Sequence, residues 1–478
     1  MSKTIIIIGA GLAGLSAALQ AAENGCNVKL VSSLPSERAQ SVMAEGGINA
    51  ALNTKDENDS PEEHFTDTIK AACGLADPNA VWEMTQAAPE LVHWLLKLGV
   101  KFNMSGYDDV DLRNFGGQKK KRTAFAQSDT GKQIMTAMID AVRRKEASGM
   151  VERFSHHSFL TLRLCGNICC GCVIRDEYSQ ETVELPGDAV IVATGGMHGL
   201  FGNTTGSLSN TGEVTAELFR LGVPLANGEM IQYHPTTVKC GGKRMLISEA
   251  ARGEGGRLFA MKDGKQWYFM EEKYPELGNL MPRDITAREI WKVSHESEVF
   301  LDMTEISEEI ISNKLSGLAD DCMTYLHKDI RKEPVSVLPG IHYFMGGILV
   351  DEQHRTPIQN LYAAGECCAQ YHGANRLGGN SLLGALYGGR VAAKSACEQA
   401  DVVDLSCATQ IDFPPASQIS EIKQLNKVMQ ETMGVVRNEN TLLNGIQTVQ
   451  ALTGNLPLLG MAVLKLSLIH ISEPTRPR

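Results

Sequence analysis

The sequence lacks the long apolar segments of a secreted or membrane-spanning protein. In a chain of 478 residues, no stretch is apolar for long enough to span a bilayer. The opening run Met1–Gly9 is too short for a signal peptide and breaks into glycines. We therefore expect a cytoplasmic chain with no direct membrane insertion.

Positive charge is in deficit as well. The chain has 45 Lys and Arg against 56 Asp and Glu, which gives a net charge of −11 at pH 7 with His neutral. This acidic balance argues against nucleic acid or an anionic membrane surface as a partner. Cations that lie in apolar or Gly-rich segments are therefore expected to bind a specific ligand.

The cysteine spacings of metal sites are also missing. The chain has 12 Cys, and four of them, Cys165, Cys169, Cys170 and Cys172, lie close together. Adjacent and alternating cysteines match neither iron–sulfur nor zinc patterns, and Gly166-Asn167 among them is typical of a hairpin turn. We predict a β-hairpin, no metal site and free thiols.

The N-terminal segment alternates strand and helix around a glycine-rich turn. Thr4–Gly9 is typical of a buried strand, and an Ala-rich helix follows from about Leu15 to Asn24. Gly9, Gly11 and Gly14 have the spacing that lets a pyrophosphate approach a helix N-terminus. The pattern predicts the βαβ opening of a dinucleotide-binding fold.

Later segments extend this fold and indicate that it is interrupted. Ser32 stands at the end of the next strand in place of the acidic residue that binds ribose, which disfavours NAD more than FAD. Ala189–Ala193 followed by Thr194-Gly195 predicts another strand near the cofactor. Leu361–Ala364 predicts a further one, which delivers Glu366 at its C-terminal end. About a hundred residues lie inserted between these parts, so we expect a discontinuous domain.

Four separated segments each place a His or an Arg in Gly-rich or apolar surroundings. They are Gln232–Thr236, Pro282–Asp284, Ile341–Gly347 and His372–Asn380. An arginine fork can hold a carboxylate through two parallel hydrogen bonds. Two arginines with two histidines suit a small dicarboxylate.

The C-terminal part has a different pattern. Asp412–Pro415 predicts a linker, and Ser420–Glu431 and Asn438–Leu452 predict amphipathic helices. The last twelve residues, 467–478, abandon this periodicity and resemble a translated sequencing-adapter fragment. We expect them to be artefactual and the true C-terminus to be lost.

Taken together, the motifs resemble a known family over about residues 3 to 455. The segments occur in one order: Gly9–Gly14, Ala44–Gly47, Gln232–Thr236, Ser248–Gly256, Pro282–Asp284, His342–Gly347 and His372–Asn380. The set is similar to the flavoprotein subunits of fumarate reductase and succinate dehydrogenase and to their relative L-aspartate oxidase.

The resemblance implies an α/β fold in which an FAD-binding Rossmann-like domain is interrupted by an α+β capping domain. The implied bounds are 1–233 and 343–400 for the FAD-binding domain, 234–342 for the capping domain and 415–466 for a partial C-terminal helical domain. The implied activity is that of an FAD-dependent oxidoreductase acting on CH–CH donors, which uses the flavin to reduce fumarate.

The family's functional residues carry over to matching positions. The implied substrate ligands are His234, Ser248, His342 and Arg376, with Arg283 as proton donor and Glu249 and Arg252 as its relay. The implied cofactor residues are Gly9, Gly11, Gly14, Ser32, Gln40, Ser41, Gly46, Gly47, Thr194, Gly195, Glu366, Ser381 and Leu382.

Two departures from the family pattern narrow the expected mode of FAD attachment and the expected substrate. Gln40 stands where membrane-bound members carry the histidine that is covalently attached to FAD, so we expect non-covalent FAD and a lower flavin potential, which favours fumarate reduction. Phe115 stands where L-aspartate oxidase has a glutamate for the substrate ammonium, and burying an ammonium there without a counter-charge is costly. Because Asp108, Asp109 and Asp111 are near, L-aspartate oxidase remains the alternative.

The electron donor is not visible in the sequence, since no haem-attachment motif or second flavin module is present. The resemblance implies an iron–sulfur partner subunit, through which the chain would lie peripheral to the inner face of a membrane. A soluble electron donor is the alternative to that subunit. A separate hypothesis for the chain itself is a non-catalytic FAD-binding fragment.

Overall fold

The computed structural model of the protein describes residues 2–107, 109–400, 413 and 418–472. Most of the predicted linker at Asp412–Pro415 lies outside these residues, as do Asp108 and the final segment 473–478. The described part is a mixed α/β structure in which helices pack on several sheets. The α/β prediction is therefore confirmed, whereas the exact domain bounds stay a prediction.

The strands are Thr4–Ile8 (β1), Asn27–Ser32 (β2), Ile48–Asn49 (β3), Leu112–Arg113 (β4), Thr123–Ala124 (β5), Val151–Ser155 (β6), His157–Cys165 (β7), Ile168–Asp176 (β8), Thr182–Pro186 (β9), Ala189–Val192 (β10), Leu225–Ala226 (β11), Ile231–Cys240 (β12), Lys243–Leu246 (β13), Arg257–Lys262 (β14), Lys265–Trp267 (β15), Val299–Asp302 (β16), Val335–Ser336 (β17), Leu338–Phe344 (β18), Gly347–Leu349 (β19), Leu361–Ala363 (β20) and Cys368–Ala369 (β21).

The helices are Leu12–Glu23 (α1), Pro61–Ala72 (α2), Pro78–Leu98 (α3), Thr130–Ala147 (α4), Glu213–Arg220 (α5), Glu249–Gly253 (α6), Phe269–Lys273 (α7), Arg283–Val293 (α8), Glu308–Lys314 (α9), Ser316–Asp321 (α10), Asn380–Gln399 (α11), Ile419–Thr432 (α12), Glu439–Gln450 (α13) and Asn455–Ser472 (α14). None of the helices in these described ranges is long and apolar enough to cross a membrane.

A parallel sheet carries the N-terminal motif. Its strand order is β20-β10-β1-β2-β6, and every neighbouring pair runs parallel. The isoleucines of β1 are buried because both faces of such a sheet are covered. Three strands predicted from the sequence are confirmed as β1, β10 and β20. The predicted helix is α1, which begins at Leu12, three residues earlier than expected, because Gly11 is its N-cap.

The cysteine-rich segment forms the predicted hairpin. β7 and β8 pair antiparallel up to Cys165 and Ile168, with the Gly-Asn turn between them. Cys169 and Cys172 are buried in a hydrophobic cluster that also contains Cys367. Ten cysteines of the described chain are free thiols, whereas Cys165 is disulfide-bonded. The free-thiol prediction is therefore wrong for Cys165.

The inserted segment builds two antiparallel sheets with a hydrophobic core of their own. One sheet has the order β13-β12-β18 and the other β15-β14-β16-β17. β12 and β18 pair in an irregular register, with His234 opposite Gly340 and Tyr233 opposite Ile341. This pairing brings two of the four predicted cationic segments onto neighbouring strands, although more than a hundred residues separate them.

The C-terminal helices α12, α13 and α14 pack together over a cluster that includes Leu425, Leu459 and Phe201. The two predicted amphipathic helices are confirmed as α12 and α13. α14 continues through residues 467–472, so the first half of the segment expected to be artefactual extends a helix.

Candidate active site

One cavity of about 950 Å³ runs from the glycine-rich turn of the parallel sheet to the cationic segments. Its wall includes Gly9 and Gly11 at one end and Arg283 and Arg376 at the other. The cavity therefore joins the predicted cofactor and substrate residues in a single space. We call the first part the nucleotide end and the second the cationic end.

The nucleotide end is built largely from backbone. Gly9 has φ +112°, and a Cβ at this position would lie 2.2 Å from the carbonyl oxygen of Ala193. The N-terminus of α1 opens onto the cavity, and the Ser41 hydroxyl accepts a hydrogen bond from the Leu12 amide at 3.2 Å. This arrangement leaves helix-terminal N–H groups near a space that fits a pyrophosphate.

Ser32 supports the fit of FAD at this end. It closes β2 and lines the cavity, and its buried hydroxyl has no hydrogen-bond partner among the described residues. Buried hydroxyls are normally paired, so an unpaired one in a cavity wall is suited to a ligand hydroxyl such as that of a ribose.

Most of the predicted cofactor residues lie in the cavity wall. They are Gly9, Gly11, Ser32, Gln40, Ser41, Gly46, Gly47, Thr194, Gly195, Glu366, Ser381 and Leu382. Gly14 does not line the cavity, and a Cβ there would lie 1.8 Å from the carbonyl oxygen of Gly9. Its placement is thus explained by helix–strand packing.

Two of these residues are held by backbone amides. Gln40 Oε1 accepts a hydrogen bond from the Ser207 amide at 2.7 Å. Glu366 Oε1 accepts one from the Phe344 amide at 3.1 Å and lies 3.5 Å from His198 Nε2. Gln40 therefore uses its oxygen to anchor a loop, which leaves its amide nitrogen for other contacts.

The cationic end centres on a buried chain of three charged side chains. Arg283 donates from Nε and Nη2 to Glu249 Oε2 at 2.8 and 2.6 Å. Arg252 donates from Nη2 to Glu249 Oε1 at 3.2 Å, and the Gly116 amide donates to the same oxygen at 3.1 Å. Glu249 thus accepts charge-assisted hydrogen bonds on both oxygens, which is the condition for a stable buried ion pair.

Local sequence explains how these groups meet. Glu249 and Arg252 lie three residues apart on the short helix α6, so they share one face. Arg283 is the first residue of α8, directly after Pro282. Burial raises the pKa of the Glu249 carboxyl, but the charges of Arg283 and Arg252 outweigh it and hold that pKa below its ordinary value.

Arg252 is set apart from the other predicted site residues. It does not line the large cavity but lines a separate cleft of about 320 Å³ with Arg257 and Glu271. Arg252 Nη1 also donates to the Asn279 carbonyl at 2.5 Å. Within the described chain, the three charged side chains therefore connect the cavity to this outer cleft.

The two histidines face each other across β12 and β18. Their ring centroids lie 5.1 Å apart at an interplanar angle of 66°. The Thr236 amide donates to His234 Nδ1 at 3.3 Å, and His342 Nδ1 lies 2.8 Å from Thr205 Oγ1. Burial lowers the pKa of both rings well below the ordinary value, with Arg283 adding to this for both, so they are neutral near pH 7 without a ligand.

Arg376 completes the cationic end from the loop before α11. Its guanidinium stacks over the Tyr343 ring at 4.3 Å, and Nη1 donates to the Leu377 carbonyl at 3.3 Å. Its Nε has no hydrogen-bond partner among the described residues. Burial, and next the charge of Arg283, lower the pKa of Arg376 to about 9. Because this guanidinium is buried and one of its N–H groups lacks a partner among the described residues, it is suited to bind an anionic ligand.

Ser248 and Glu45 also line the cavity. Ser248 is the N-cap of α6, and its hydroxyl accepts a hydrogen bond from the Ala250 amide at 3.4 Å. Burial, with the nearby Asp321, raises the pKa of Glu45 to about 8. The sequence pattern identified the loop of Glu45 but gave no sign that its carboxyl would be neutral at pH 7.

Phe115 also lines the cavity, close to Gly46 and Gly378. Of the acidic residues predicted near it, the two that the structure describes are not in the wall: Asp111 pairs with Lys55 at 2.5 Å, and neither Asp111 nor Asp109 lines the cavity. An ammonium at Phe115 would therefore lack Asp109 and Asp111 as counter-charges.

These features define a nucleotide-cofactor-binding protein with a buried cationic ligand site, and comparisons with known proteins specify it further. A family described as FAD binding domain matches residues 4–382. A succinate dehydrogenase flavoprotein subunit of Bacillus subtilis is 44% identical over 413 residues, which covers 84% of this chain and 70% of that protein.

Two further similarities concern an L-aspartate oxidase and a fumarate reductase. An L-aspartate oxidase of Streptomyces coelicolor is 32% identical over 474 residues, covering 95% of this chain and 80% of that protein. A variant quinol fumarate reductase from E. coli superposes with a TM-score of 0.86 at 26% identity, covering 98% of this chain and 87% of that chain. The chain belongs to the FAD-binding family of succinate dehydrogenase and fumarate reductase flavoprotein subunits, and is an FAD-dependent oxidoreductase of that type.

Proposed function

We propose that the protein interconverts fumarate and succinate, with reduction of fumarate favoured. The chemistry that the cofactor supplies when bound is hydride transfer from the flavin N5 to the carbon–carbon double bond. The chain's own part is to hold both carboxylates, stabilise the charge that develops on one of them and deliver a proton.

The excess of positive charge at the cationic end carries this proposal. Arg283 and Arg376 are buried there and Arg252 is buried beside them, and among the described residues only Glu249 is hydrogen-bonded to any of the three as an anion. Such an excess is unfavourable in an empty low-dielectric site and suits a ligand with two negative charges.

We assign the carboxylates to His234, Ser248, His342 and Arg376, which line the same part of the cavity. As the carbon–carbon bond is reduced, negative charge flows into one carboxylate. Cations fixed beside it stabilise the transition state more than the substrate. Neutral histidines serve here as hydrogen-bond donors that need not lose a proton.

The proton comes from Arg283. A guanidinium alone releases a proton reluctantly. Arg283 is bonded twice to Glu249, which in turn is bonded to Arg252 at the outer cleft. This chain supports immediate reprotonation of Arg283 from solvent without opening the cavity.

FAD is held without a covalent bond in this proposal. Gln40 lines the cavity at the position of the attaching histidine, and an amide forms no bond to the flavin. A non-covalent flavin has a lower potential, which favours reduction over succinate oxidation. We further propose an iron–sulfur subunit as electron donor and a cytoplasmic location, peripheral to a membrane through that subunit.

Oxidation of L-aspartate is the alternative, supported by the similarity to the Streptomyces coelicolor enzyme. The apolar Phe115 in the wall and the outward placement of Asp109 and Asp111 disfavour it. An inactive FAD-binding fragment is the remaining alternative.

One preparation separates the three hypotheses. Purified protein is loaded with FAD, passed through gel filtration and assayed without oxygen for oxidation of reduced viologen by fumarate. The same sample is assayed in air for peroxide release from L-aspartate. We expect fumarate-dependent turnover; peroxide release alone would support the oxidase, and retained flavin without turnover would support the fragment.

A further inference from the structure

Gln232 lies between the two arginines that the proposed reaction uses. It belongs to β12, is 3% exposed and is not among the described residues that line the cavity. Its Oε1 accepts a hydrogen bond from Arg283 Nη1 at 3.0 Å. Its Nε2 donates to the Arg376 carbonyl at 2.7 Å and to Asn375 Oδ1 at 3.0 Å. One amide therefore binds both arginine-bearing segments.

A second hydrogen bond closes the connection. Asn375 Nδ2 donates to Asp284 Oδ1 at 2.9 Å. Arg283 and Asp284 begin α8 of the inserted segment, whereas Asn375 and Arg376 lie in the loop before α11. The two dipeptides therefore lie side by side, joined through Gln232 and through the Asn375–Asp284 contact.

We propose that Gln232, Asn375 and Asp284 form a positioning bridge that sets the Arg283 guanidinium relative to Arg376. The proposal rests on the roles given above to these two arginines. Through the bridge, docking of α8 on the loop before α11 also fixes the distance between proton donor and carboxylate ligand. None of the three side chains needs to touch the substrate.

The chemistry of an amide explains why glutamine fits this place. It accepts from a guanidinium and donates to a carbonyl at once, and it adds no charge. A glutamate would keep the acceptor, lose the donor and place a second anion beside Arg283. A leucine would leave a buried guanidinium N–H and a buried carbonyl unpaired.

Substitution at Gln232 tests the bridge. Because a misplacement of about 1 Å in a reacting group costs about 100-fold in rate, we expect Gln232→Leu to lower kcat for fumarate by about 100-fold. The dissociation constant of the dicarboxylate inhibitor malonate should rise by less than about tenfold, since its ligands remain.

Gln370→Leu is the matched control. Gln370 is also a buried glutamine, 6% exposed, and its Nε2 donates to the Asp351 carbonyl at 3.1 Å, away from both arginines. A Gln232→Leu protein whose kcat stays within about threefold of this control overturns the proposal.

Substitution of Asp284 tests the bridge with less risk of misfolding. Asp284 is 44% exposed in its side chain and pairs with Arg288 at 3.3 Å. We expect Asp284→Ala to lower kcat by about three- to tenfold and Arg288→Ala, which removes only that ion pair, to leave it unchanged. Equal activities of the two variants contradict the bridge.

Hydrogen exchange separates this proposal from the proposed function. If the wild-type protein reduces no fumarate, the function fails, and the bridge is decided by exchange alone. In Gln232→Leu, peptides covering 283–293 and 371–380 should then exchange faster together than in the wild-type protein. Unchanged exchange in both peptides overturns the bridge.

Discussion

The two ends of the cavity are built in different ways. The nucleotide end uses backbone groups and small side chains such as Gly9, Gly11 and Ser32. The cationic end uses buried charged side chains, among them Glu249, Arg283 and Arg376, that come from distant parts of the chain. Backbone recognition follows from local sequence, whereas a charged cluster depends on tertiary packing.

The difference has energetic consequences. Glycine turns and helix N-termini bind a pyrophosphate with groups that are already solvated or paired. Buried ions need partners in fixed geometry, and removal of one partner costs about 3–5 kcal/mol. Substitutions at the cationic end should therefore change activity and stability more than substitutions at the nucleotide end.

The largest effect is expected for Arg283→Gln. Loss of the proton donor and of a cation beside the developing charge should lower kcat at least about 1,000-fold. Binding of malonate, followed by perturbation of the flavin spectrum, should change little because His234, His342 and Arg376 remain. Arg288→Gln, on the exposed side of α8, is the control. Full activity of Arg283→Gln would refute its assigned role.

The next effect is expected for Arg376→Gln. A charged hydrogen bond contributes about 1.5–3 kcal/mol, so loss of the guanidinium should raise KM for fumarate by about 100-fold. Flavin content should stay at the wild-type level, since the nucleotide end is untouched. An unchanged KM would mean that Arg376 does not hold a carboxylate.

Acid should weaken the protein through its buried histidines. Burial lowers the pKa of His64 and His372 to about 3 and that of His354 to about 4, and it also lowers those of His234 and His342 well below their ordinary 6.5. At these five histidines the unfolded chain therefore binds protons first, so their contribution to the free energy of unfolding is full above pH 6.5 and falls below it. Glu45, with its pKa raised to about 8, contributes the opposite slope, but it is one group against five. Each such histidine adds up to about 1.4 kcal/mol per pH unit to that fall.

Urea titrations between pH 7.5 and 5.5 measure this slope. The variant His342→Asn should flatten it by the share of one histidine. An unfolding free energy that does not change over this range would contradict the neutral, buried state of these rings.

The smallest perturbation concerns the nucleotide end. Because Gln40 forms no bond to the cofactor, acid precipitation should leave the flavin in the supernatant and a colourless pellet. Flavin that precipitates with the protein would refute non-covalent binding.

Local features could be predicted from the sequence. The strand–turn–helix at Gly9, the hairpin at Cys165 and the helices α12 and α13 depend on near neighbours, and the structure confirms them. Membership of the family followed from the order of the motifs, which the comparisons confirm.

Other features depend on contacts that no local pattern encodes. The side chain of Gln232 connects Arg283 to Arg376 only in the folded chain, where it lies within hydrogen-bond distance of both segments. Arg252 was predicted beside Glu249, but its position in a second cleft follows from the packing around Asn279. The raised pKa of Glu45 results from burial in the assembled cavity.

A comparison of fumarate with crotonate tests most directly whether the cationic end binds two carboxylates. Crotonate keeps the double bond but has a methyl group in place of one carboxylate, so it would leave buried cations unpaired. We expect kcat/KM for reduction, measured without oxygen with reduced viologen, to be at least about 1,000-fold higher for fumarate. Equal values for the two acids would contradict a dicarboxylate site.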